Sequence, residues 1–325
     1  MPASVRWLAA VVLVLCSCGD ATPPGSWTSA PPLPQERYEA HAMALRGRIY
    51  FFGGITDLCP PGESACVSDH VDVFDPTARQ WSPGPPLPPE APRHHLAMAQ
   101  VGDTIYLLGG FTGILAAQNF MPLATTFSFD GTTWRRLADQ PLARGSATAE
   151  AIGGKIYVAG GGIAEPDARA DLYAYDPSSD TWAARAPMPT AREHVASCPL
   201  ADTMLVVGGW LGDRTVVHSA ESYDPATDHW TTLPDLPTAR GGLGARPLRG
   251  ICFAIGGEEW SGPLPGTFAD VQGFDPRSGR WTTYAPLPHA RHGLGVAALG
   301  DSLYAVGGGD IRGNSYTTLV EIFTP

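Results

Sequence analysis

The sequence predicts an all-β fold, a six-bladed β-propeller, and three observations support this prediction. The 325 residues include 38 glycines and 32 prolines but only 16% charged residues, which favours many short strands joined by turns. A pair of glycines recurs six times along the chain, at intervals of about fifty residues. Each period holds four short apolar segments separated by turn residues, and such repeats are typical of propeller blades.

Each repeat carries the same three markers in the same order. The glycine pairs are Gly53-Gly54, Gly109-Gly110, Gly160-Gly161, Gly208-Gly209, Gly256-Gly257 and Gly307-Gly308. An aromatic residue and an aspartate follow at Phe74-Asp75, Phe129-Asp130, Tyr175-Asp176, Tyr223-Asp224 and Phe274-Asp275. A tryptophan then stands at Trp81, Trp134, Trp182, Trp230 and Trp281.

The sixth repeat lacks its tryptophan, and the amino-terminal region supplies one. Trp27 precedes Gly53 by 26 residues, which is also the spacing from tryptophan to the next glycine pair in four of the other repeats. A strand within residues 25–34 is therefore expected to complete the last blade and to close the ring, which removes exposed sheet faces. One propeller is expected over residues 25–325.

The glycine pair, the aromatic-aspartate turn and the spaced tryptophan together resemble the kelch repeat, across the whole of residues 25–325. One repeat departs from the pattern, because Asp130 is followed by glycine where the others have proline. The resemblance implies structural roles for the repeated residues. Glycine allows close backbone approach at the strand end, and tryptophan fills the space between blades.

The amino terminus resembles a bacterial lipoprotein signal. An arginine precedes the apolar run Trp7–Cys16, which is too short to span a bilayer and is typical of a secretory signal. Leu15 and Ser17 stand where the lipoprotein pattern places them before a lipidated Cys18. We expect a signal over 1–17, a tether over 18–24 and a location in the bacterial cell envelope, periplasmic or attached to the outer membrane. A plain cleaved secretory peptide is the alternative.

Charge and motif spacing exclude several classes of function. The net charge of −11 disfavours a nucleic-acid-binding protein, which needs a basic surface. Metal-ligand spacings and phosphate-binding loops are absent, so neither a metal nor a cofactor is predicted. Galactose oxidase shares the kelch fold, but its copper site does not map onto this sequence. The expected partners are a protein or a glycan, with membrane contact through the lipid anchor only, and we expect a monomer.

Strand polarity identifies the face on which ligands are expected. If the four strands of each blade are lettered a to d outward from the axis, the b–c and d–a loops open on the same face. An arginine stands sixteen residues before every glycine pair, at the start of strand a: Arg37, Arg93, Arg144, Arg192, Arg240 and Arg291. These arginines either form a cationic ring for a carboxylate or phosphate, or bond backbone carbonyls of a neighbouring blade, as arginines here commonly do in kelch repeats.

Two residues beyond each arginine, the repeats diverge. The residues there are Glu39, His95, Ser146, His194, Gly242 and Gly293, and in an extended strand they share a side with the arginine. Such divergence predicts side chains that meet a ligand. Glu39, His95 and His194 are the candidates for acid–base catalysis, and ordinary solvated side chains are the alternative.

The b–c loops add two tryptophans outside the structural register. Trp210 and Trp260 lie near charged residues, an arrangement that can stack sugar rings, although each can instead cap the apolar end of its own blade. The second blade has the longest apolar loop, which can serve as a lid or a docking surface.

Four cysteines lie beyond the signal and the tether. Cys59 and Cys66 flank a short loop, and in an exported protein they are expected to form a disulfide. Cys252 replaces an apolar residue of strand b and is expected to be a core thiol, and Cys198 is expected to be structural.

Two functions fit these features. The first is a lipid-anchored recognition module that binds a protein, peptide or glycan at the face of the b–c and d–a loops. The second is a periplasmic carbohydrate enzyme similar to the kelch-fold sialic acid mutarotase or epimerase, in which an arginine holds a carboxylate and Glu39, His95 or His194 moves a proton. Fold alone does not decide between them.

Overall fold

The computed structural model describes residues 22–59, 65–90, 92–114, 119–164, 167–264 and 266–325. Regular structure in these ranges consists of β-strands. Within the same ranges, no helix has the length and apolar character needed to cross a membrane. The predicted signal and the lipidation site Cys18 lie outside the described residues, as does part of the predicted tether.

The described chain forms 28 strands, most of them four or five residues long. In chain order they are β1 Ser26–Ser29, β2 His41–Leu45, β3 Arg48–Phe52, β4 Ile55–Thr56, β5 Cys66–Val67, β6 Val71–Asp75, β7 Gln80–Pro83, β8 Ala97–Val101, β9 Thr104–Leu108, β10 Phe111–Ile114, β11 Asn119–Pro122, β12 Thr126–Phe129, β13 Trp134–Leu137, β14 Thr148–Ile152, β15 Lys155–Ala159, β16 Leu172–Asp176, β17 Thr181–Arg185, β18 Ala196–Leu200, β19 Thr203–Val207, β20 Ala220–Asp224, β21 His229–Leu233, β22 Gly244–Leu248, β23 Ile251–Ile255, β24 Val271–Asp275, β25 Arg280–Thr283, β26 Gly295–Leu299, β27 Ser302–Val306 and β28 Val320–Thr324.

Six antiparallel four-stranded sheets form the blades, which are numbered 1 to 6 in the order in which their inner strands a occur along the chain. From strand a to strand d they are β2-β3-β6-β7, β8-β9-β12-β13, β14-β15-β16-β17, β18-β19-β20-β21, β22-β23-β24-β25 and β26-β27-β28-β1. Two small hairpins, β4-β5 and β10-β11, extend the b–c loops of blades 1 and 2. This arrangement confirms the predicted six-bladed propeller.

The ring is closed by the pairing of β1 with β28 in the last blade. The register places Trp27 opposite Phe323, and their ring centroids lie 5.0 Å apart. Strand d of blade 6 therefore comes from the start of the propeller and strands a to c from its end, as the sequence predicts.

The structural tryptophans connect neighbouring blades. The indole N–H of Trp81 donates to the carbonyl of Pro31 in the preceding blade at 2.9 Å. Four other tryptophans donate in the same way to the preceding blade at 2.8–3.0 Å: Trp27, Trp182, Trp230 and Trp281. The rings also pack against the aromatic residue on the paired strand c of their own blade, and Trp134 stacks on Phe129 with ring centroids 4.4 Å apart. These partly buried rings and the buried strand b side chains supply the core between blades.

The described residues contain two disulfides, one predicted and one not. Cys59 pairs with Cys66 in the b–c loop of blade 1, as expected. The expectation of a core thiol at Cys252 is wrong, because Cys252 forms a disulfide with Cys198. Strand a of blade 4 packs against strand b of blade 5, and this places the two Cα atoms 5.8 Å apart, within the range that a disulfide spans. The bond covalently links two adjacent blades.

Candidate functional site

A closed ring of six backbone hydrogen bonds surrounds the propeller axis. It joins the residues that stand two positions after each arginine, and we call it the collar. The N–H of each member donates to the carbonyl of the member in the preceding blade at 2.8–3.0 Å: Glu39 to Gly293, His95 to Glu39, Ser146 to His95, His194 to Ser146, Gly242 to His194 and Gly293 to Gly242. The collar therefore brings the divergent side chains of different blades to one point.

Every collar residue has a left-handed backbone, with φ between 49° and 60°. Non-glycine residues adopt this conformation uncommonly, so its presence at four such residues of the collar shows that the ring imposes it. The expectation that collar side chains share a side with the arginines is therefore wrong, because alternation of sides requires an extended backbone.

The six arginines are buried and do not form a cationic ring for a ligand. Each is at most 1% exposed, and burial lowers the pKa of Arg37, Arg93, Arg144 and Arg240 to about 10. Five of the guanidinium groups donate to the carbonyl of the first glycine of a pair: Arg37 to Gly53, Arg93 to Gly109, Arg144 to Gly160, Arg192 to Gly208 and Arg240 to Gly256.

The arginine side chains stabilise the interior of the blades. Arg37, Arg192 and Arg291 also form buried ion pairs with carboxylates on strand c or its equivalent: Asp72, Glu221 and Glu321. The alternative interpretation expected bonds to backbone carbonyls of a neighbouring blade, and the location of those carbonyls was wrong. The carbonyls that the side chains bond belong to the arginine's own blade and not to a neighbouring one. The contact between blades is made by the arginine's backbone: the carbonyl of Arg93, for example, accepts from the N–H of Gly54 in the preceding blade at 2.9 Å.

A polar cup of about 160 Å³ opens on the face of the b–c and d–a loops, with the collar at its base. Its lining includes the collar residues Glu39, His95 and His194 and, from b–c loops, Arg214, Glu258 and Trp260. A second cavity of about 90 Å³ lies along the inner strands beyond the collar. There Ser197 donates to Glu150 at 2.8 Å, and burial raises the pKa of the Glu150 carboxyl to about 7.

The three side chains that the sequence singled out for acid–base chemistry meet at the base of the cup. His95 Nε2 lies 3.3 Å from Glu39 Oε2 and 2.8 Å from His194 Nε2. Their side chains are 10% exposed or less. Burial holds the pKa of the His95 imidazole well below its usual value, with smaller contributions from neighbouring histidines, so this ring is neutral at pH 7.

Four charged or titratable residues of this cluster were not recognised as site residues in the sequence. Glu193 Oε2 lies 3.5 Å from His194 Nδ1, His94 Nδ1 contacts His95 Nδ1, and Glu258 Oε2 lies 3.4 Å from His292 Nε2. Burial lowers the pKa of His94 and of His292 to about 3. Burial, followed by repulsion from Glu39, raises the pKa of Glu258 to about 8.

A second divergent position in the repeats marks these residues. The residues directly after the arginines are Tyr38, His94, Gly145, Glu193, Gly241 and His292, and each bridges to the residue that follows the glycine pair. At two of these positions, a large residue after the glycine pair packs against a glycine of the next blade. A Cβ atom on Gly241 would stand 2.1 Å from Nε1 of Trp210, and one on Gly145 would stand 2.3 Å from the Phe111 ring.

The two additional tryptophans have different roles. Trp210 is 2% exposed and stacks on His194 with ring centroids 4.0 Å apart, so it caps its blade and forms a wall of the cup. Trp260 is 37% exposed at the mouth, and the guanidinium of Arg214 lies 4.5 Å from its ring centroid. Of the two, Trp260 is the ring that a ligand can reach.

Large apolar side chains are exposed on the face where the cup opens. Among the described residues these are Leu58, Met121, Ile163, Trp260, Leu264 and Ile311. All six lie in b–c loops and come from five of the six blades. We call this set the apolar rim.

Comparisons with known proteins agree with this architecture. Residues 124–308 match the KLHDC2/KLHL20/DRC7 Kelch-repeats domain, and residues 36–88 match the Kelch motif. Kelch-like protein 35 of Mus musculus is 29% identical over 156 residues, covering 47% of this chain and 24% of that protein. Kelch-like protein 25 of Xenopus tropicalis is 31% identical over 154 residues, with the same two shares. The match thus spans about a quarter of the length of these relatives.

A solved structure resembles the whole propeller. The structure of YjhT superposes with a TM-score of 0.75 and covers 92% of this chain and 97% of that one, at 16% sequence identity. At this identity the likeness shows the fold alone. Because the kelch domain model covers more than half of the chain and the repeats occupy all six blades, the chain belongs to the kelch-repeat family.

Proposed function

We propose that this protein is an exported recognition module that binds a protein or peptide at the face of the b–c and d–a loops. The observation that carries the proposal is the apolar rim. Scattered exposed apolar residues are ordinary, but here every large one in the described chain lies on one face, and none lies in the turns of the opposite face. An apolar surface around a polar centre fits a polypeptide laid across the mouth.

The cup gives such a partner a polar anchor point. Arg214 and Trp260 stand at its mouth, and carboxylates and imidazoles line its base. A side chain or chain terminus inserted there would be surrounded by hydrogen-bonding groups, while the rim excludes water around it, as occurs at the centre of many interfaces.

Selection from a random peptide display library tests this proposal. Enriched peptides are expected to lose at least about tenfold in affinity on Leu264→Asp or Ile311→Asp, since each change places a charge in the rim. Arg249→Asp, at an exposed turn on the opposite face, is the matched control and should leave affinity unchanged. Peptides that bind the rim variants as well as the parent, or the absence of any enriched peptide, would contradict the proposal.

Export and lipidation form a second part of the proposal. Two disulfides are typical of proteins that fold in an oxidising compartment, and Cys18 stands in a sequence that resembles a lipoprotein signal. In a bacterial host, labelled palmitate should be incorporated by the full chain and by Cys16→Ser but not by Cys18→Ser. Equal labelling of both variants, or none in the parent, would exclude lipidation at Cys18.

A carbohydrate enzyme of the mutarotase or epimerase type is a second candidate. The meeting of Glu39, His95 and His194 beneath Arg214 favours it, because a carboxylate and imidazoles can move protons while the guanidinium holds an acidic sugar. Equilibration of sialic acid anomers, followed by NMR, should then be faster with the parent and with Ser146→Ala than with Glu39→Gln. Equal rates with and without protein would exclude this activity.

A further inference from the structure

We propose that Glu39, His95 and His194 bind a divalent first-row transition-metal ion, of the kind that Zn²⁺ represents, at the base of the cup. This inference does not depend on the function proposed above. One ligand atom from each residue lies within 4.8 Å of the others, and the pairs that share His95 Nε2 are separated by 2.8 and 3.3 Å. In a tetrahedral zinc site with bonds of about 2.0–2.1 Å, ligand atoms lie about 3.3 Å apart. Small shifts therefore bring the three side chains to binding geometry.

The chemistry of the three ligands selects the class of ion. Two imidazole nitrogens and one carboxylate oxygen are typical of zinc and related ions, whereas calcium and magnesium prefer oxygen ligands alone. All three residues line both the cup and the inner cavity, so there is space next to the cluster for a fourth ligand. That space can take a water molecule or a polar group of a bound partner.

A buried side chain lies beside the nitrogen of each imidazole that faces away from the shared point. Glu193 lies 3.5 Å from Nδ1 of His194, and His94 contacts Nδ1 of His95. Metal-binding histidines almost always donate their second N–H to a carboxylate, a carbonyl or water, which fixes the ring orientation. Glu193 would have to move slightly closer to Nδ1 of His194 to accept such a bond. Both partners are fully buried and directly precede the histidine they orient.

The charge of the cluster also favours a cation. Glu39 belongs to a second group with Glu258 and His292, whose candidate ligand atoms again lie within 4.8 Å of one another. Buried carboxylates at this distance repel each other when both are ionised, and a divalent cation between them removes that cost.

The collar holds the ligands in place before any ion arrives. Each of the three residues is fixed by a backbone hydrogen bond to each neighbouring member of the collar, and each has the same left-handed φ near 50°. A binding site on such a rigid frame requires little rearrangement.

Metal titration of the full chain tests the proposal. Protein treated with a chelator and then dialysed is titrated with Zn²⁺ by calorimetry, and Co²⁺ serves as a coloured probe of coordination. The parent is expected to bind one equivalent, and Glu39→Gln, His95→Ser and His194→Ser are expected to abolish that equivalent. Serine suits these positions because Ser146 occupies the same place in the collar at φ 54°. Glu193→Gln should weaken binding by about 10- to 100-fold.

Two controls accompany the variants. Ser146→Ala changes the collar outside the ligand set, and His229→Ser removes an exposed histidine near the opposite face, so both should bind as the parent does. Circular dichroism and melting in chelator establish which variants are folded.

The position of the ion provides an outcome that does not depend on variants. In crystals of the parent grown with Zn²⁺, the anomalous peak is expected within about 2.3 Å of both His95 Nε2 and His194 Nε2. A parent that binds no metal, ligand variants that are folded and bind like the parent, or a peak elsewhere would each overturn the proposal.

Discussion

The disulfide between blades 4 and 5 gives the largest expected effect on stability. Cys198 and Cys252 are separated by 54 residues, and a cross-link of that span removes chain entropy worth about 4 kcal/mol at 25 °C from the unfolded state. The bond between Cys59 and Cys66, with a separation of 7, is worth only about 2.5 kcal/mol on the same scale. Loss of the first bond should therefore lower the free energy of unfolding more than loss of the second.

Equilibrium unfolding in urea, followed by tryptophan fluorescence with and without dithiothreitol, separates the two bonds. In Cys59→Ser/Cys66→Ser, reduction should lower the free energy of unfolding by about 4 kcal/mol. In Cys198→Ala/Cys252→Ala it should lower that energy by at most about 2.5 kcal/mol. A smaller effect in the first variant than in the second would refute the assignment of the blade-linking disulfide.

Three further changes probe the collar, the inner cavity and the arginines. Gly293→Ala should be less stable than Gly242→Ala by about 1–3 kcal/mol in urea unfolding. Both glycines have positive φ, but only Gly293→Ala places a Cβ atom 2.6 Å from the Glu39 carboxylate. Equal stabilities of the two variants would contradict the collar geometry. Burial raises the pKa of Glu150 from 4.5 to about 7, so the free energy of unfolding should fall by about 3 kcal/mol as pH rises through this window. Glu150→Gln should remove most of that slope, and an unchanged slope would be inconsistent with burial of this carboxyl. Arg144→Met should lower the free energy of unfolding by at least about 3 kcal/mol, because three backbone carbonyls lose their donor. Almost no loss, as expected for an exposed arginine, would contradict this role.

Features that repeat within the sequence could be predicted, because register within a blade follows from spacing. The glycine pairs and tryptophans mark equivalent points of successive blades, so blade number, strand polarity and closure by Trp27 all follow from counting. The Cys59–Cys66 disulfide was also predictable, since it closes a loop within one blade.

Contacts between blades could not be predicted in the same way. The bond of Cys198 to Cys252 depends on which strand faces which across a blade interface, and spacing does not report this. The left-handed backbone at His95 and His194 likewise depends on the hydrogen-bonded collar, because non-glycine residues adopt that conformation uncommonly. This backbone turns collar side chains towards the axis and separates them from the arginines.

Only part of the candidate site could be predicted from the sequence, because its residues come from different blades. The divergent position two residues after each arginine predicted that Glu39, His95 and His194 meet a ligand, and the structure brings these three side chains together. Sequence motifs for metal sites have their ligands within one segment, whereas these three candidate ligands come from three blades. The repeats also diverge at the position directly after each arginine, and this divergence marks His94, Glu193 and His292.

Recognition at the face of the b–c and d–a loops is tested most directly by hydrogen–deuterium exchange, with and without a display-selected peptide. Binding should slow exchange in the b–c loops at 55–58, 119–122, 258–264 and 309–314, and should leave the a–b and c–d turns of the opposite face unchanged. Protection confined to those opposite turns, with none in the b–c loops, would contradict the assignment of this face as the binding surface.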